Sequence, residues 1–207
     1  VIGAGKHFPG LGEGRLDSHH DLPVIRKPFR KLWAEDLVPY RRMRRELRMV
    51  LVGHATYPEV TRDRQPASLS KKWITSILRR KIGYRGLVAS DDLEMGGVLK
   101  AAPLDQAAVE FIDAGGDLAL ICREQKNVEA AFEAIVKTAE RSARFRRRVA
   151  ESAKRVARFK QASPELKRRV PSPPPERISR LSTELWEFSE CVRLSSLASA
   201  PGAEAGS

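Results

Sequence analysis

The sequence predicts an α/β fold built on a parallel sheet, and three observations carry that expectation. Four short apolar runs alternate with segments of helical character. The runs are almost continuously apolar, as strands buried on both faces are, instead of apolar at every second residue. Each run closes on polar or Gly-rich sequence, and the carboxyl ends of parallel strands carry the chemistry in both open α/β sheets and closed (β/α)8 barrels.

Taken in order, the first strand is expected over Val1–Phe8, ending in the loop Lys6-His7-Phe8-Pro9-Gly10-Leu11-Gly12. A helix is expected over Leu32–Leu47, then a second strand over Met49–Gly53 that ends at His54. The next helix is expected over Ser70–Lys81, with Ser70 as its N-cap and Gly83 as its stop. A third strand, Leu87–Ser90, ends at Asp91 and is followed by a helix over Leu104–Ala114. The fourth strand, Leu118–Ile121, ends at Cys122, with a helix over Asn127–Thr138 behind it. Four such units amount to half a barrel, which leaves two sheet edges unpaired.

Beyond the fourth unit the character changes. From Arg141 to Arg169, apolar Phe145, Val149, Ala153, Val156 and Phe159 recur every three or four residues between basic ones. The spacing predicts an amphipathic helix with a solvated basic outer face. Pro171-Ser172-Pro173-Pro174-Pro175 reads as a stiff linker. Arg177–Leu197 is expected to form one more helix, with Leu181, Leu185, Phe188 and Val192 on one face, and Ala198–Ser207 to be disordered.

The 207 residues suffice for one core, and 31% charged with 42% hydrophobic residues is ordinary for a globular protein. No run of eighteen apolar residues is present, so no membrane partner is expected. Val1-Ile2-Gly3-Ala4-Gly5-Lys6 has neither a Met nor the plan of a signal peptide; it reads as the interior of a longer chain, and a cytoplasmic location is the expectation. Cys122 and Cys191 lie outside any CxxC spacing, which argues against a disulfide framework or zinc knuckle. The net charge of +12 is concentrated on the basic helix. Without aromatic residues interleaved for base stacking, it does not call for a nucleic-acid partner.

Two clusters carry chemistry. The first joins Lys6 and His7 to Asp17, Ser18 and His19 across Gly- and Pro-rich sequence that cannot be helix interior. The second is Ser90-Asp91-Asp92-Leu93. Together they offer a carboxylate nucleophile and an imidazole that exchanges protons near neutral pH. Each residue also has a plainer reading. His7 and His54 fit as strand-end histidines, and Asp91 and Asp92 as helix caps. Asp17, His19, His20 and Asp21 are spaced too tightly for convincing metal geometry.

The ordered series Lys6-His7-Phe8-Pro9-Gly10, Asp17-Ser18-His19, Leu22-Pro23, Glu35-Asp36-Leu37-Val38-Pro39-Tyr40, His54-Ala55-Thr56-Tyr57-Pro58, Pro66-Ala67-Ser68-Leu69-Ser70, Gly83-Tyr84-Arg85-Gly86 and Ser90-Asp91-Asp92-Leu93-Glu94-Met95 resembles family 3 glycoside hydrolases, in their β-N-acetylhexosaminidase branch. The resemblance covers about residues 1–160. It implies a (β/α)8 TIM-type barrel, represented by about four C-terminal strand–helix units, with a helical basic extension and a linker, helix and tail over 161–207. It implies a retaining hydrolase that removes terminal β-N-acetylglucosamine from amino-sugar oligosaccharides such as peptidoglycan fragments. Asp91 then matches the nucleophile and His19 the acid/base. Asp17 would orient His19 as the carboxylate of a hydrolase triad does, while Lys6 and His7 would hold sugar hydroxyls. Asp92 and His54 are read as structural, and no cofactor or metal is called for.

Two departures stand out. Leu11 occupies a position where the family often has His, and the half barrel that precedes the Lys-His loop in the family has no counterpart here. The series therefore reads as a truncated enzyme. A non-catalytic half-barrel module and the β-glucosidase branch are the alternatives, and His19 speaks against the second.

Overall fold

A computed structural model describes residues 2–12, 14, 22–168 and 171–198 of the chain. Two compact units divide it, Val1–Leu166 and Lys167–Ser207. In the first, strands β1 (Ala4–Phe8), β2 (Met49–Val52), β3 (Leu87–Asp92) and β4 (Leu118–Leu120) form one sheet in the order β1-β2-β3-β4. All three pairings are parallel. Sequential parallel strands with helices between them are four consecutive units of a (β/α) barrel.

The register of β2 on β3 is unbroken from Met49↔Leu87 to Val52↔Ser90. The outer pairs slip toward their carboxyl ends, between Gly5 and Phe8 and between Ala89 and Asp92. Irregular pairing there re-aims side chains beside a site.

The helix expected over Leu32–Leu47 is instead two short ones, α1 (Phe29–Ala34) and α2 (Val38–Arg42). Pro39 has no N–H to give a continuing helix and is accepted only in a first turn, which is where α2 begins. Between them, Lys27 Nζ lies 2.6 Å from both Glu35 Oε2 and Asp36 Oδ2 and pins the break. After β2 come α3 (Pro58–Thr61) and a 3-10 turn at Ala67–Leu69.

The segment Lys72–Lys81 is helical, but it is wound as a π-helix and turns Trp73, Ile74, Ile77 and Leu78 inward. Ser70 does not cap it with its side chain, contrary to the sequence expectation. It is extended and 2% exposed, and its carbonyl accepts from Ile74 N–H at 3.0 Å. Gly83 ends the segment in the left-handed region at φ +79°, where glycine carries no Cβ penalty.

Helices α4 (Gly96–Leu99), α5 (Leu104–Ala114) and α6 (Gln125–Arg141) follow the remaining strands. Ser142 then breaks the chain, its Oγ accepting from Phe145 N–H at 3.2 Å to start α7 (Ala143–Gln161). The basic face of α7 is not wholly solvated, as the apolar spacing had implied. Phe145 and Ser152 are buried, Arg148 and Arg155 turn inward with them, and Ala153 is exposed.

The core sits between the sheet and these helices. Trp73 meets Tyr57 edge-on with ring centroids 4.8 Å apart, and Phe8 packs edge-on against Tyr40 at 5.1 Å and Trp73 at 6.0 Å. Such geometry sets the negative faces of rings against positive edges. At Gly116 a Cβ would come within 2.2 Å of the Phe111 ring, so only glycine lets α5 lie this close to β4.

On the outward side of α6, Val128, Phe132 and Val136 form an exposed apolar stripe. The second unit contains α8 (Pro175–Ala198), on which Leu181, Leu185, Phe188 and Val192 are all exposed. Among the described residues, no helix is long and apolar enough to cross a membrane. The tail 199–207, expected to be disordered, lies outside the described residues.

Candidate active site

The carboxyl ends of the four strands bring together His7, His54, Asp91, Asp92 and Cys122, which were separate in the sequence. Asp91 lies at the end of β3 with its side chain 19% exposed, and its Oδ2 is 3.4 Å from His7 Nε2 on β1. Strand β2 lies between them, and Gly53 leaves room for His7: a Cβ there would stand 3.1 Å from His7 Cβ, a tight contact. The other Asp91 oxygen accepts the Asp92 backbone N–H at 3.0 Å. One face of the Asp91 carboxylate is thus fixed by backbone, and the other meets an imidazole.

Lys6 is exposed on β1 and, with His7, Asp36 and Tyr40, borders a cavity of about 630 Å3. Asp17 and His19, the expected orienting carboxylate and acid/base, lie outside the described residues, as do His20 and Asp21.

Asp92 points elsewhere than Asp91. Its Oδ1 accepts from Glu94 N–H at 3.1 Å, Arg123 Nε lies 3.9 Å from Oδ2, and its carbonyl takes a hydrogen bond from His54.

His54 is fully buried. Its Nε2 stands 3.0 Å from the Asp92 carbonyl oxygen, which can only accept, so Nε2 carries the proton. Nδ1 then accepts from Ser68 Oγ at 2.7 Å. Burial pushes its pKa below the ordinary 6.5, against the opposing pull of the Asp92 carbonyl and the Asp91 charge. His54 is a neutral strut that sets the end of β3.

Cys122 follows β4. The residue is exposed, and partial desolvation, with the Asp92 and Glu94 charges beside it, pushes its thiol pKa up and keeps it protonated.

Two further groups carry no signal in the sequence that assigns them a role. Glu94 receives the backbone N–H groups of Cys122, Arg123 and Glu124 (2.9, 2.5 and 3.2 Å) and the Asn127 side-chain amide at 2.7 Å. Desolvation works to raise its pKa, and these four hydrogen bonds outweigh it, holding the carboxyl below its usual range. A carboxylate at the start of α6 also complements the helix dipole. The motif placed Glu94 beside the site, yet its partners lie some thirty residues away.

Asp117 sits at the opposite pole, before β4, with a fully buried side chain. It gathers Arg79, Arg148 at 3.4 Å and Arg155 at 2.8 Å. Ser152 Oγ and the Val88 N–H complete its shell at 3.1 and 3.0 Å. Barrel residues at the amino pole serve stability and those at the carboxyl pole chemistry, and these two clusters divide in that way.

Chemically, the carboxyl pole offers an anionic oxygen positioned by backbone, a neighbouring imidazole and an exposed ammonium. Among the described residues, no group of three metal-ligating side chains is assembled.

Residues 1–159 match the profile of the glycosyl hydrolase family 3 N terminal domain. The chain is similar to a beta-hexosaminidase of Aromatoleum aromaticum, 41% identical over 119 residues, covering 57% of this chain and 33% of that protein. It is also similar to a beta-hexosaminidase of Bordetella avium, 38% identical over 148 residues, covering 71% of this chain and 42% of the relative. Among solved structures, a glycoside hydrolase family 3 beta-N-acetylglucosaminidase from Paenibacillus sp. superposes with a TM-score of 0.78 at 31% identity, over 84% of this chain and 33% of that one. The chain thus spans between a third and about two fifths of the length of these curated relatives.

Proposed function

From the premise that the chain belongs to glycosyl hydrolase family 3, we propose that it carries the strand ends of a retaining β-N-acetylhexosaminidase. Its substrates would be terminal β-N-acetylglucosamine residues of amino-sugar oligosaccharides, peptidoglycan fragments among them. The observation that carries the reading is Asp91. It is a carboxylate at the carboxyl end of β3, fixed through one oxygen by backbone and held 3.4 Å from an imidazole through the other.

In the first step, Asp91 attacks the anomeric carbon as the bond to the leaving oxygen breaks and His19 gives that oxygen its proton. A covalent glycosyl-enzyme results. Water then attacks the same carbon, His19 takes its proton, and Asp91 departs, restoring the original configuration. Asp17 holds the second ring nitrogen of His19 and stabilises the imidazolium. Lys6 and His7 donate to sugar hydroxyls. Asp92 and His54 keep the end of β3 in place.

The test is hydrolysis of a chromogenic β-N-acetylglucosaminide by the 207-residue chain beside its Asp91→Ala and His19→Ala variants, with mass spectrometry for a trapped glycosyl adduct. Turnover lost in both variants, with the adduct on Asp91 in the parent, supports the reading. An adduct formed by Asp91→Ala removes Asp91 as nucleophile, and near-parental turnover in His19→Ala removes His19 as acid/base. No turnover from a folded parent chain overturns catalysis by this chain alone. It would favour a non-catalytic half-barrel module, which the single-sided pairing of β1 and β4 makes the second reading.

A further inference from the structure

The amino pole carries a cavity with no part in the chemistry above. It has a volume of about 630 Å3, within the range of small-molecule sites. Six of its twelve lining residues are arginines: Arg44, Arg45, Arg48, Arg85, Arg155 and Arg158. None of the twelve is acidic.

They converge from three places, namely the end of the segment before β2, the turn before β3, and α7. Two are engaged: Arg155 pairs with Asp117 at 2.8 Å, and Arg48 reaches Glu165 at 3.5 Å while lying over the Phe159 ring at 5.0 Å. Arg44 gives one nitrogen to the Arg41 carbonyl at 2.9 Å. The side chains of Arg45, Arg85 and Arg158 have no hydrogen-bond or ion-pair partner among the described residues, and all three residues are exposed. Leu47 and Leu87 add apolar lining.

Guanidinium groups crowded without anions repel one another, and a bound anion relieves the repulsion. Their planar forks match phosphate oxygens two at a time. The concave shape and small volume select a compact ligand over a duplex. The one aromatic ring is already covered by Arg48, so no platform is left for stacking bases. From Leu87 to Asp91 the strand advances about 13 Å, too far for one sugar unit to touch both places.

We propose that this amino-pole cavity binds a small polyanion bearing more than one phosphate group, held by Arg45, Arg85 and Arg158 with Arg44 at the margin. The ligand would occupy the cavity independently of any glycoside at Asp91.

The test uses calorimetric titration of the full chain with inorganic triphosphate at about 0.15 M salt, where long-range attraction is screened. The expected result is one-to-one binding that weakens about a hundredfold in Arg85→Ser/Arg158→Ser, roughly tenfold for each contact removed. The control Arg64→Ser/Arg147→Ser loses the same charge from exposed positions outside the cavity, and is expected to bind as the parent does. All four residues are exposed, and unchanged far-UV circular dichroism establishes that each variant is folded. Absence of binding overturns the proposal. Equal weakening in both double variants also overturns it, because attraction is then diffuse. Binding of a duplex RNA or an acidic peptide that triphosphate does not displace overturns the choice of ligand.

Discussion

Asp117→Asn isolates charge from shape at the amino pole. The carboxylate is fully buried and binds three guanidinium groups whose side chains are 15%, 14% and 28% exposed, for Arg79, Arg148 and Arg155. Burial pushes the Arg79 and Arg148 pKa values down, because both guanidinium groups have given up water, while the Asp117 charge pulls the other way. An amide at 117 keeps the volume, but it offers one acceptor oxygen and turns an NH2 toward guanidinium groups, which only donate. Removing one partner of a buried pair costs about 3–5 kcal/mol. Because Arg155 can swing toward water, we take about 4 kcal/mol. For a unit of this size, about 3 °C of Tm is lost per kcal/mol, giving a fall of about 12 °C. Thermal and urea unfolding followed by far-UV circular dichroism at neutral pH reads it, with an unchanged urea slope showing that the unfolding reaction is the same. A Tm within about 2 °C of the parent would refute the reasoning, since the cluster would then be a solvated surface network.

His54 gives a pH signature. Its native pKa lies below 6.5, so the unfolded chain takes up the proton first, and stability falls as pH drops through 6.5. In His54→Gln that part of the slope should vanish from urea midpoints measured across the range; an identical slope in the variant assigns the titration to other groups. Glu94→Gln removes one of two strong acceptors, so amide exchange at Cys122, Arg123 and Glu124 should quicken relative to α5; unchanged protection would mean these N–H groups hold without the carboxylate. Trp73→Ala deletes a fully buried ring from between Tyr57 and Phe8 and should cost about 3–5 kcal/mol of unfolding free energy in denaturant titrations, a loss under about 1 kcal/mol showing that the core closes over the gap.

The strands were legible because parallel strands buried on both faces write themselves as short apolar runs, and β1, β2 and β4 fall within the stretches so marked, while β3 runs two residues past its stretch, through Asp91 and Asp92. What misled was local and chemical. Helical spacing across 32–47 ran through Pro39, whose missing N–H splits the segment, and the Lys27 clamp on Glu35 and Asp36 comes from outside the window. Ser70 has the right residue type for a cap, but burial against the core decides its conformation. On α7 the apolar period was real, yet Arg148 and Arg155 share the inner face with it. Their destination, Asp117, lies more than thirty residues earlier, and no short-range pattern marks it. At the site, the motifs mark the residues that matter, and Asp91 and His7 do come together. Burial makes His54 neutral, and the tautomer it holds depends on the Asp92 carbonyl, which is a property of the folded backbone alone.

The apolar stripe of α6 and the unpaired side of β4 bear on how solutions of this chain behave. A net charge of +12 keeps copies apart while its field extends, about 30 Å at 0.01 M salt, and that reach contracts to about 8 Å at 0.15 M. Dispersion and strand pairing act only at contact, so they take over once the field has collapsed. The exposed Val128, Phe132 and Val136 are then expected to meet their like on neighbouring molecules. Colloidal stability is therefore expected to rest on ionic strength more than on folding free energy: a dilute, low-salt sample should stay clear, and added salt should cloud it while the molecules remain native.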